Sequence, residues 1–73
     1  MAIQVVMDHT GDTRHHFDAN DEAAVEEARK RFVRLTQAGF TAAVRPGQGT
    51  SALARRFDPT AEETVFFPRL VGG

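Results

Sequence analysis

Residues Ala2 to Asp8 alternate in character. Ile3, Val5 and Met7 fall on one side of an extended chain, and Gln4, Val6 and Asp8 fall on the other. A period of two predicts a β-strand, with the Ile3–Val5–Met7 side turned to the core. His9-Thr10-Gly11-Asp12 is turn chemistry, with Gly11 able to take a positive φ. Thr13 to Phe17 reads as the returning strand, with Thr13, His15 and Phe17 on one face, so the chain opens on a hairpin.

The period then changes. Asp18-Ala19-Asn20-Asp21-Glu22 ends the strand and starts a helix. Asn20 is the expected N-cap, and Asp21 and Glu22 bring negative charge to the first turn, where the helix dipole favours it. Val25, Ala28, Phe32 and Leu35 recur at helical spacing and make one apolar stripe. Glu26 and Lys30, and Glu27 and Arg31, are spaced for ion pairs on the outer face. Gly39 suits the C′ position, so the helix is expected over Asp21 to Ala38.

Phe40, Ala42 and Val44 restart the two-residue period and predict a third strand. Pro46-Gly47-Gln48-Gly49 breaks it. Leu53 to Phe57 is a short candidate strand, Asp58-Pro59 turns the chain, and Thr64 to Phe67 forms the last strand before Pro68. A hairpin, one amphipathic helix and further strands predict an α+β fold: a mixed sheet of four to five strands (ββαββ or ββαβββ) with the helix packed across one face. Ile3, Val5, Phe17, Val25, Phe32, Leu35, Val44 and Phe67 are the expected core. Residues 1–67 would make one small domain, and 68–73 a flexible C-terminal tail.

Composition narrows the function. The chain has 73 residues, of which 41% are hydrophobic and 26% charged, with no Cys. Such a chain leaves little room for a formed catalytic pocket and has no thiolate nucleophile or thiolate metal site. A formal charge of −1 argues against a generic nucleic-acid binder. No apolar run has the length of a membrane span, and no signal peptide is visible, so the expected location is the cytoplasm. His15 and His16 are adjacent and face opposite sides of a strand, and His9 lies in the turn, so no metal site is expected. Arg45, Arg55 and Arg56 could form a basic spot for an anion or an acidic partner, but an ordinary solvated strand edge is the better account of them. Pro46 to Ser51 lacks the Lys and the length of a phosphate loop.

The C-terminal segment carries the most specific signal. Glu63-Thr64-Val65-Phe66-Phe67-Pro68 runs into Arg69-Leu70-Val71-Gly72-Gly73. In its order of elements and in this ending the chain resembles the ubiquitin-like β-grasp superfamily. The acidic-apolar strand, Phe-Pro and Gly-Gly are similar to the small sulfur carriers of molybdopterin and thiamine synthesis, and Arg-Leu-x-Gly-Gly is similar to ubiquitin. Arg69 stands where the sulfur carriers usually have a second Pro, and Val71 where ubiquitin has its final Arg.

The resemblance implies a β-grasp fold and a carrier or modifier that is not itself an enzyme and holds no cofactor. Gly72 and Gly73 would be the activated end, and Phe66, Pro68, Arg69, Leu70 and Val71 would dock an adenylating activating enzyme. An acceptor protein is the further implied partner; no nucleic acid or membrane is implied. Side chains on the last two residues would obstruct attack at the C-terminal carbon. The rival reading is a non-catalytic interaction module of α+β fold.

Overall fold

The computed structural model describes residues 1–45 and 52–68. The elements are β1 (Ala2–Asp8), β2 (Gly11–Phe17), α1 (Glu22–Gln37), β3 (Phe40–Arg45), β4 (Ala52–Ala54) and β5 (Glu63–Pro68). They form a small α+β domain in which one helix packs on a five-stranded mixed sheet of order β2-β1-β5-β3-β4. The two central strands, β1 and β5, are parallel, and every other neighbour is antiparallel.

Local chemistry explains the joints. Asp8 closes the hairpin: its Oδ1 accepts from the Thr10 amide at 2.8 Å and the Thr10 hydroxyl at 2.5 Å. The loop is two residues long, and neither has the positive φ of a primed turn; Gly11 takes it instead, at φ 129°. At the helix start Asp18 Oδ1 accepts from the Asn20 amide, which sets up the turn before the cap. The cap is Asp21 and not Asn20: its carboxylate accepts from the amides of Ala23 and Ala24. At the other end Gly39 adopts φ 104°, the left-handed C′ geometry expected from its position. The outer-face ion pairs use i,i+3 spacing, Glu26 with Arg29 and Glu27 with Lys30. Arg31 is thereby left for a contact beneath the helix.

The helix covers the side of the sheet opposite to the one expected for two strands. Ala2, Gln4 and Val6 of β1 face it, as do Thr64 and Phe66 of β5. Ile3, Val5, Val65 and Phe67 therefore lie on the uncovered side, and of the expected core residues there only Val5 is buried. The parity is shared because the two strands are paired, Gln4 beside Thr64 and Val6 beside Phe66. Both strands are apolar on both sides, so alternation alone does not say which side the helix takes. Phe17 and Phe32 are buried as expected, and Val25, Leu35 and Val44 are partly buried.

A chain of phenylalanines spans the core. Phe57 stacks between Phe17 and Phe32 at centroid distances of 6.2 and 6.0 Å, and Phe32 meets Phe66 edge-on at 5.6 Å. These are the separations that favour aromatic pairs. Phe57 lies beyond β4, which ends at Ala54 rather than running to Phe57. The turn that follows is held by Asp58, whose Oδ1 accepts from the amide and the hydroxyl of Thr60. Buried Ala61 then leads into β5.

Under the helix lies one buried polar knot. Gln4 is fully buried; its Nε2 donates to the Ala28 carbonyl at 3.0 Å and its Oε1 accepts from Arg31 Nη1 at 2.7 Å. A buried amide is tolerated only when bonded in this way. Among the described residues no buried side-chain polar atom lacks a partner.

Candidate functional site

The candidate site is the end of β5 with the sheet surface beside it. β5 is bonded on one side to β1 and on the other to β3. It carries the chain out at the end of the sheet where β1 turns into its hairpin and β3 begins. The strand continues one residue past Phe67: Pro68 lies opposite Phe40 and is exposed. A proline that offers no amide suits the last rung of a ladder.

Of the residues expected to dock a partner, Phe66 is wholly buried against Phe32 and Ala42 and is unavailable at the surface. Its neighbour Phe67, 37% exposed, is the aromatic that β5 presents outward. Arg69, Leu70, Val71, Gly72 and Gly73 lie outside the described residues, as does the Pro46 to Ser51 segment.

The uncovered side of the sheet has a clear layout. Val5 and Val65 are cross-strand neighbours at its centre, continued by Ala43 on β3 and Leu53 on β4. Toward the exit of β5 lie Met7, Phe67 and Thr41. Met7 is 46% and Leu53 72% exposed. Ion pairs flank this apolar band, Arg14 with Asp12 on one side and Arg45 with Glu63 at 3.3 Å on the other. Exposed pairs of this kind add little stability, but they border the apolar strip with charge of both signs.

The remaining candidates do not converge. Arg45 is engaged with Glu63, while Arg55 and Arg56 are exposed just after β4. No group of three or more His, Asp or Glu side chains with metal-binding geometry occurs among the described residues. His15 and His16 face opposite sides, His15 half-buried on the helix side and His16 exposed. Partial burial, then the charges of Arg31 and Arg34, hold the His15 imidazole below its ordinary value of 6.5. The contribution of Phe67, Met7 and Leu53 to a common surface was missed in the sequence. The available signal was that β1 and β5 are apolar on both sides.

No helix among the described residues is long and apolar enough to cross a membrane. Searches against protein-family models, curated proteins and solved structures find no match to this chain.

Proposed function

We propose that this protein is a β-grasp carrier or modifier, activated at the Gly73 carboxylate by an adenylating partner enzyme. The observation that carries the reading is the placement of β5. A central strand, parallel to β1 in a sheet of order β2-β1-β5-β3-β4, leads directly to the Arg69-Leu70-Val71-Gly72-Gly73 sequence. A terminal segment that follows a strand bonded on both sides starts from a fixed point, as delivery into a partner's active site requires.

The chemistry belongs to the partner. A Gly73 carboxylate oxygen attacks the α-phosphorus of ATP, and pyrophosphate leaves. The resulting acyl adenylate is then attacked at its carbonyl carbon by a thiolate or a sulfide, and AMP leaves. The product is a thioester or a thiocarboxylate. Phe67, Met7 and Val65 give the enzyme an apolar foothold beside the exit of β5, with Pro68 at its edge.

The test is incubation with ATP and candidate adenylating enzymes, read by intact mass. An AMP adduct, a thioester or an oxygen-to-sulfur exchange at Gly73 supports the reading. Its absence with every enzyme tried, or a native chain that continues past Gly73 without being cleaved there, ends it. The uncovered apolar band favours one alternative, a non-catalytic interaction module of the same α+β architecture. In that case partner binding survives deletion of Gly72 and Gly73.

A further inference from the structure

The helix-covered side of the sheet has a charged margin that the proposed function does not use. Gln4 and His15 are cross-strand partners on that side, and both lie beneath α1. Arg31 reaches down from α1 to Gln4 Oε1 at 2.7 Å, which fixes its guanidinium beside the residue that pairs with His15. Arg34 follows one turn later along the same side of the helix and is exposed. Two arginines of α1 and one histidine of the edge strand β2 thus border the seam between these two elements.

Glu27 stands one turn before Arg31 on the helix and lies 4.0 Å from Lys30, both side chains largely exposed. The helix carboxylates Glu26 and Glu27 pair with Arg29 and Lys30. Among the described residues the four ion pairs include none of His15, Arg31 and Arg34. The seam therefore carries the guanidiniums of Arg31 and Arg34 against the one carboxylate of Glu27, in a chain whose formal charge is −1. Arg31 uses one of its five N–H donors on Gln4, so most of its hydrogen-bonding capacity is left for a ligand. Being held by Gln4, the guanidinium loses less freedom on binding than a solvated arginine would.

We propose that His15, Arg31 and Arg34 form a binding site for a phosphate-type oxyanion at the seam between β2 and α1. Donors from an imidazole and two guanidiniums suit an anion with at least three acceptor oxygens better than a carboxylate with two. Arg31 is the preset anchor, Arg34 closes from the solvent side, and His15 supplies a donor that strengthens when it is protonated.

The test is a histidine-resolved NMR titration of the intact chain at about neutral pH, with inorganic phosphate as the probe. Acetate and chloride at matched ionic strength serve as controls. His16, the next residue on the opposite face, and His9 in the hairpin are internal references. The expected result is a saturable shift at His15 with phosphate alone. The His15 midpoint should also rise by about one pH unit, the lower end of what an opposite charge within ~4–6 Å produces. Arg34→Gln, which leaves the Arg31–Gln4 bond in place, should weaken phosphate binding by about tenfold, the loss of one charge-assisted contact. Arg31→Gln should abolish it, provided its helix signal is unchanged. Equal responses to acetate and phosphate, equal movement of His9 and His16, or full binding by Arg34→Gln would each overturn the proposal.

Discussion

The two sides of one sheet differ in a way that residue polarity does not foretell. The side under the helix buries Gln4 and Thr64, at 0% and 3% exposure, beside Phe66. The uncovered side leaves Met7, Leu53 and Phe67 partly or largely in solvent. Along β1 and β5 two polar residues, Gln4 and Thr64, lie inside while Met7 and Phe67 lie outside. Gln4 is accepted inside because α1 supplies a carbonyl and a guanidinium at bonding distance. Phe67 is accepted outside because a single exposed aromatic costs little. Burial in this domain follows from which side the helix takes, and a bonded amide serves there as well as a methyl group.

Adjacent phenylalanines give the strongest test of this contrast. Phe66→Ala should cost about 3–5 kcal/mol, against the roughly 4–11 kcal/mol that a domain of 73 residues commands. Urea unfolding should show the midpoint collapse or a chain already unfolded. Gln4→Ala comes next, at about 1–3 kcal/mol, because it empties a buried site, removes the bond to the Ala28 carbonyl and leaves the half-buried Arg31 without its Gln4 acceptor. Gln4→Leu should recover part of that loss by filling the space. If Gln4→Ala is neutral in the same assay, the polar knot does not hold the helix to the sheet.

Phe67→Ala should cost about 1–2 kcal/mol, since much of the ring is already in water. On the proposed function, the same substitution should also slow adenylation by the activating enzyme, read by intact mass. A stability loss equal to that of Phe66→Ala would erase the distinction between the two sides.

The smallest expected effect is on acid stability. His15 has its folded value lowered, so the folded state binds fewer protons than the unfolded one, and stability falls as pH drops through and below 6.5. Asp8 and Asp58 are lowered by their bonds to Thr10 and Thr60, so their contribution is present above 3.8 and lost as pH falls below it. Thermal melts across pH should show two separate declines. His15→Gln should remove the first and leave the second.

The elements were legible because their signals are local. The Asp8 to Gly11 turn, the helix stripe from Val25 to Leu35, Gly39 after it and Pro68 near the end of β5 each act within a few residues. The N-cap was misplaced by one residue because Asn20 and Asp21 are both good caps, and Asp18 decides between them by bonding the Asn20 amide. Phe57 escaped notice because no periodicity marks a core residue in a loop; only its stacking on Phe17 and Phe32 reveals it. Within the candidate site the sequence indicated the terminal strand and its exit, but it chose Phe66 for the surface where Phe67 is the exposed ring.

The sequence by itself determined the order of elements, the amphipathic helix and the run from the last strand into Gly72-Gly73. The tertiary structure alone decided which side of β1 and β5 the helix covers. The reason is physical: a central strand is apolar on both sides, and a two-residue period has two equally regular parities. Only the pairing of β1 with β5 and the bond from Gln4 to Ala28 select one of them. That selection buries Phe66 and turns Phe67, Val65 and Met7 to the uncovered side of the sheet.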